Sequence, residues 1–256
     1  MIRTIFSTVL ATAAGFSGAA MAAERPTIVL VHGAFADASG WNGVTAKLHR
    51  DGYHVIAAAN PLRSVKSDAA SVTNLLKSIK GPVVLVGHSY GGAVISEAAE
   101  GQPNVASLVY VAAFSPDEGE SAAALTAKFP GSTVGPTLAP PVPLADGGND
   151  LYIDQAKFPV QFAADVPNNE ATFMAVNQRP IKDAAFGEPA SAPAWKHIPS
   201  WHIYGDADKM IPPKTLAYMA ERAKAKKTVV VPGGSHAVMI SHPAEVAAII
   251  EAAAGK

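Results

Sequence analysis

The sequence predicts an α/β fold, with a mostly parallel sheet covered by helices on both faces. Three observations lead there. Six short apolar runs rich in β-branched residues recur along the chain, and most lack the polar alternation of a sheet with one wet face. Segments with helical patterning separate most of them, and strand–helix–strand alternation calls for parallel strands packed between helices. The alternation breaks over about residues 115–195, which predicts an insertion lying on the sheet as a cap.

In chain order, TIVLV at 27–31 is the first predicted strand, ending at His32-Gly33. Helical patterning follows at 40–50, then a strand at 53–58 (YHVIAA) and a helix at 66–79. PVVLVG at 82–87 is the third strand, 91–100 the next helix, and SLVYVAA at 107–113 the fourth strand. Inside the insertion, PGSTVGPTLAPPVP at 130–143 holds five prolines in fourteen positions. Proline lacks an N–H and fixes φ, so this stretch is neither helix interior nor central strand. Partial helical patterning returns at 151–179. The last strands are SWHIY at 200–204 and KTVVV at 227–231, with helices at 213–225 and 243–254 and Gly255 where the final helix should stop.

Composition narrows the function. Apolar residues make up 49% and charged residues 16%, enough for a large core and against global disorder. A formal charge of −1 without clustered Lys and Arg argues against nucleic-acid binding. Lys224, Lys226 and Lys227 read as a solvated helix end. The chain has no cysteine, so disulfides, a thiol nucleophile and thiolate metal ligands are excluded. At the N-terminus, Arg3, an apolar run of small residues and Ala20-Met21-Ala22 form a secretory pattern. Residues 1–22 are therefore expected to be a signal peptide. The domain would occupy 23–256, in the periplasm or secreted, with no stable membrane anchor after cleavage.

The candidate chemistry starts at VVLVGHSYGGAVISEAAE, residues 83–100, where Ser89 sits in Gly-x-Ser-x-Gly between a strand and a helix. A serine at such a turn takes a strained backbone conformation, and Gly87 and Gly91 remove side chains that would collide with the strand and helix. The turn lifts Oγ above the carboxyl edge of the sheet, where parallel sheets bind ligands. The hydroxyl needs a base. Of the downstream His197, His202, His236 and His242, His236 fits best, because GGSHAVMI follows the last strand at the same edge. His202 falls inside a strand, His242 is expected to cap the last helix, and His88 to pack or pair locally. An acid must orient the histidine. Asp206 and Asp208, in YGDADKMIPP, both stand at the right edge. An oxyanion needs two backbone donors. Tyr90 supplies one and the loop His32-Gly33-Ala34-Phe35 the other, from Ala34; His32 supports that loop.

With these residues in place, the chain resembles the α/β-hydrolase superfamily, and within it the small esterases related to plant methylesterases and hydroxynitrile lyases. The matching segments are VLVHGAF, GHSYGGAVI, LVYVAAFSPDEGES, YGDADKMIPP and GSHAVMISHP. The resemblance implies that the acid is the last residue of Gly205-Asp206-Ala207-Asp208, which selects Asp208 and leaves Asp206 to shape the turn. Hydroxynitrile lyases carry a lysine beside the histidine and a threonine near the oxyanion loop. Here Ala237 and His32-Gly33-Ala34 stand there, so hydrolysis is expected instead. Ser89 excludes the aspartate nucleophile of haloalkane dehalogenases. The expectation is a cofactor-free, metal-free serine hydrolase of carboxylic esters, acting on a small molecule. Phe35, Phe158, Phe162 and Trp195 are expected to line its pocket. The alternatives are cofactor-free perhydrolysis by the same triad, ligand binding without catalysis, and a structural or adhesive role.

Overall fold

Why six strands line up in parallel follows from what lies between them. The computed structural model describes residues 25–256, so the expected signal peptide lies outside the described residues. The first half of the chain runs β1 (Thr27–Val31), α1 (Asn42–Arg50), β2 (Val55–Ala58), α2 (Val65–Ser78), β3 (Val83–His88), α3 (Tyr90–Ala98) and β4 (Val105–Val111). After an excursion the chain returns through β8 (Ser200–Gly205), α8 (Pro213–Arg222), β9 (Lys227–Val231), α9 (Val238–Ser241) and α10 (Pro243–Ala253). The six strands form one sheet in the order β2-β1-β3-β4-β8-β9, and every pairing is parallel.

The apolar runs dictate this. All six residues of β3 are buried, as only a strand with two covered faces allows. Right-handed crossovers then sort the helices: the chain moves one way from β1 to β2 and the other way from β2 to β3 and from β3 to β4. Accordingly α1 packs with α10, and α2 packs with α3. The direction reverses between β1 and β3, and the crevice at their carboxyl ends is where sheets of this kind bind ligands. The helix expected at 213–225 stops early because Lys224 takes a left-handed conformation (φ 49°) that turns the chain into β9.

The excursion between β4 and β8 is the expected insertion. It comprises α4 (Ala122–Lys128), β5 (Val142–Pro143), β6 (Asn149–Leu151), α5 (Phe158–Phe162), α6 (Asn168–Asn177), β7 (Ile181–Lys182) and α7 (Asp183–Gly187). Its own small antiparallel sheet runs β5-β6-β7. The proline-rich stretch makes only one 3-10 turn, Gly135–Thr137, and the two-residue edge strand β5. Phe158, Phe162, Ala171 and Ile181 are wholly buried, so the cap shares the core of the sheet.

Glycines set the closest approach of α3. A Cβ at Gly92 would lie 2.2 Å from the carbonyl oxygen of Phe114 and 2.8 Å from Cβ of Ala113. Both contacts are with parts that have no freedom to rotate away. Gly92→Ala is therefore expected to lower the unfolding free energy by about 2–3 kcal/mol through overpacking, read from urea denaturation.

Candidate active site

Ser89 follows β3 immediately and has φ 52° and ψ −123°, a conformation that residues with a side chain rarely adopt. Its peptide groups are tied down: the N–H donates to Val111 O at 3.3 Å, and the carbonyl accepts from Gly92 N at 3.0 Å and Phe114 N at 3.1 Å. The loop after β1 presses against it, because a Cβ at Gly33 would lie 2.6 Å from Cβ of Ser89. A Cβ at Gly91 would lie 2.7 Å from the carbonyl oxygen of Val31. Ala34 and Tyr90 are thus brought to the crevice beside Ser89. No acceptor among the described residues takes the N–H of either, whereas the N–H of Phe35 is committed to Arg179 O at 3.1 Å.

Asp208, His236 and Ser89 meet in one chain of hydrogen bonds. The carboxylate oxygen Oδ2 of Asp208 lies 2.7 Å from Nδ1 of His236. A carboxylate only accepts, so Nδ1 carries the proton and Nε2 is the basic nitrogen. Ser89 Oγ stands 2.8 Å from that Nε2 and donates to it. The other Asp208 oxygen, Oδ1, accepts from the N–H groups of Met210 at 2.8 Å and Ile211 at 3.0 Å, which fixes the carboxylate plane. All three residues are buried. Such an arrangement can generate a nucleophilic alkoxide in a site of low dielectric, next to two unpaired backbone donors. Asp206 is exposed and faces away. Its Oδ1 accepts from Gly233 N at 2.6 Å and shapes the turn beside it.

The remaining histidines differ. His32 supports its loop, with Nδ1 at 2.9 Å from Gly33 O and Nε2 accepting from Asn60 N at 3.2 Å; burial lowers its pKa. His88 does not pair locally. Its Nε2–H donates to the carbonyl of His236, 148 residues away, at 3.0 Å, and burial holds its pKa well below the ordinary value. His202 stacks on Tyr110 with ring centroids 4.6 Å apart. His242 stands where α10 begins, but its side chain makes no capping bond; the imidazole turns to Ser241 Oγ at 2.9 Å and Asp165 at 3.5 Å. Pro243 at the first helical position has no N–H, which removes one of the unpaired donors of the helix start.

A cavity of about 490 Å3 opens on Ser89, walled by Phe35, Phe114, Phe129, Leu138, Phe186 and Ile211 among others, with no charged residue in its lining. Three of the four expected pocket residues are elsewhere. Phe158 and Phe162 stack on each other behind the histidine, at 4.8 Å between centroids, because α5 turns them into the core. Trp195 donates its Nε1–H to Pro116 O at 2.8 Å and lies under the Arg222 guanidinium, which draws it to the β4 side of the cap. Of the four, Phe35 lines the cavity.

Two contributors were not foreseen. The proline-rich strap supplies Pro130, Ser132, Val134 and Leu138 to the cavity wall. Asp68 is wholly buried and accepts from the Tyr90 hydroxyl at 3.0 Å. Burial raises the Asp68 pKa, and burial together with that carboxylate raises the pKa of the Tyr90 phenol. The signal for Asp68 was present: it falls on the apolar stripe Val65, Ala69, Val72, Leu76 of α2. Among the described residues no cluster of three or more His, Cys, Asp or Glu is arranged to hold a metal ion.

The sequence profile of the alpha/beta hydrolase family matches residues 28–249, and the chain belongs to that family. It is 26% identical over 258 residues to the alpha/beta hydrolase nvfD of Aspergillus novofumigatus, covering 91% of this chain and 98% of that one. In fold it is similar to polyneuridine aldehyde esterase (TM-score 0.77, 20% identity, 90% of this chain and 99% of that one). It is likewise similar to a pyrethroid hydrolase from Sphingobium faniae (TM-score 0.71, 23% identity, 90% of this chain and 97% of that one).

Burial lowers the pKa of His202 to about 3. The unfolded chain therefore binds a proton that the folded one refuses between about pH 6.5 and pH 3, and stability falls as pH drops through that window. His202→Phe keeps the ring against Tyr110 and removes the proton uptake. Urea titrations between pH 7 and 5 should show the wild type losing about 1 kcal/mol more per pH unit than the variant near pH 5.

Proposed function

We propose that this chain hydrolyses carboxylic esters through an acyl-enzyme, with Ser89 as nucleophile, His236 as general base and acid, and Asp208 as its orienting carboxylate. The observation that carries this is the unbroken Asp208–His236–Ser89 hydrogen-bond chain beside two N–H groups with no other acceptor. Family membership and a fold shared with polyneuridine aldehyde esterase and a pyrethroid hydrolase support it.

Ser89 Oγ attacks the ester carbonyl while its proton passes to Nε2 of His236. The carbonyl oxygen takes up the negative charge and is held by the N–H groups of Ala34 and Tyr90, each worth about 3–4 kcal/mol at the transition state. Asp208 stabilises the imidazolium without taking its proton. As the tetrahedral adduct collapses, His236 gives that proton to the leaving alcohol. Water then attacks the acyl-serine, His236 accepts its proton, and release of the acid returns the proton to Ser89. The charge-free cavity points to a neutral ester with a bulky apolar group, since its volume lies in the range of roughly 300–1,000 Å3 that houses drug-sized ligands.

Ser89→Ala should lower kcat on a p-nitrophenyl ester by at least about 1,000-fold and abolish labelling by a fluorophosphonate, while His236→Ala should fall comparably. Equal p-nitrophenol release by wild type and Ser89→Ala would rule the proposal out. In a panel of p-nitrophenyl esters matched in length, a neutral apolar acyl chain should exceed one ending in a carboxylate by roughly 100-fold in kcat/KM, because the cavity offers a buried charge no partner.

A further inference from the structure

The nucleophile and the free N–H groups follow the interior strands β1 and β3, Asp208 follows β8, and His236 follows β9, the edge strand. The loops after β8 and β9 are tied to each other by the Ala207 N–H to Gly234 O bond at 3.1 Å, to β3 by the His88 to His236 O bond, and also to the cap. In α5 the adjacent residues Gln161 and Phe162 are both buried, and each grips a different loop. Gln161 Nε2–H donates to the carbonyl of Lys209, one residue past Asp208, at 3.0 Å. Its Oε1 accepts from Thr133 Oγ1 at 2.9 Å, and the Thr133 N–H donates to the same Lys209 carbonyl at 3.0 Å. The carbonyl of Phe162 accepts from the N–H of Ala237, one residue past His236, at 3.1 Å. Its ring meets the His236 imidazole edge-on at 4.9 Å, with Phe158 stacked behind it. His88 also packs on the imidazole, with its ring 4.8 Å away and 6.0 Å from that of Phe162.

We propose that Gln161 and Phe162 are positioning residues: through them the cap sets the acid loop against the histidine loop. The inference rests on the ester-hydrolase function proposed above. Neither residue lines the cavity, so they act on the hydrogen-bonded relay and not on substrate. Two consequences follow. Helix α5 stays docked through turnover, because lifting it would take one contact from the Asp208 loop and one from the His236 loop together. The two residues also act on one object, the Asp208–His236 pair, so their effects are coupled.

The test compares wild type with Gln161→Met, Phe162→Leu, their double variant and Thr133→Val, on a neutral p-nitrophenyl ester. Active sites are counted by stoichiometric fluorophosphonate labelling and folding by thermal melts. Expected is a loss in kcat per labelled site of about 10- to 100-fold for Gln161→Met and Phe162→Leu, the scale that small misplacements of catalytic groups produce. KM should stay within about twofold, since uniform substrate binding is untouched. The double variant should lose less than the product of the single losses. Thr133→Val, on an exposed part of the strap, should lose kcat in the same direction to a smaller extent. Unchanged kcat in variants that melt like wild type, or a loss confined to KM, would overturn the inference. If the buried variants fail to fold, Thr133→Val decides: kcat equal to wild type refutes the Gln161 contact as a clamp. A wild type that cleaves no ester is a different failure, of the hydrolase function itself, and takes the clamp with it.

Discussion

The backbone of Ser89 is the constraint from which the rest of the site follows. A positive φ at a residue with a side chain costs on the order of 1–3 kcal/mol and persists only where its surroundings over-determine it. Here they do. The N–H and carbonyl of Ser89 are bound to Val111, Gly92 and Phe114, all at the end of β4 or the start of α3. The glycines at 33, 87, 91 and 92 let four pieces of backbone come closer than any Cβ permits. The same closeness that imposes the strain also sets Ala34 and Tyr90 next to the hydroxyl. The strain and the two free N–H groups beside Ser89 are two results of one packing arrangement.

Much of this was legible in the sequence, and the physical reason is that backbone constraints leave narrow signatures. Continuous apolar strands mark a sheet covered on both faces, and all six strands lie within about two residues of where their patterns place them. A glycine flanking a serine at a strand end marks a turn that only glycine can flank. The side chains of the cap were legible only as apolar. An aromatic residue must be buried somewhere, and the sequence does not say whether its face looks into a cavity or into the core. Phe158 and Phe162 face the core, Trp195 packs under Arg222, and Phe35 and Phe129 line the cavity, yet nothing in their spacing separates them. Asp206 and Asp208 were likewise indistinguishable by position. Burial separates them, since Asp208 turns inward to three donors while Asp206 stays in solvent.

The proline-rich strap shows how a segment with no regular structure can still be a well-defined wall. Residues without an N–H leave fewer backbone donors to satisfy, so such a stretch can line an apolar cavity at little cost in unpaired groups. The hydroxyls that do face this region are already engaged. Ser132 Oγ donates to Met210 O at 2.8 Å and Thr126 Oγ1 to Ala122 O at 2.8 Å. The cavity is therefore apolar in its chemistry even where its residues are not, and a polar substrate group would find few partners beyond Ser89 and the two free N–H groups.

The site is unequally supported. β3 lies between β1 and β4 and has a neighbour on each side, so the turn it carries is held by the sheet, by the start of α3 and by the loops after β1 and β4. β9 is an edge strand with a single neighbour, and most of its side chains are exposed or half-buried. The loop that leaves it takes one support from the sheet, the bond from His88 Nε2–H to the His236 carbonyl at 3.0 Å. Further support comes from the cap, where α5 contacts both loops. On this view the insertion between β4 and β8 does two jobs. Its strap walls the cavity and, through Ser132 and Thr133, also holds the loop after Asp208, whereas its short helix contacts both loops.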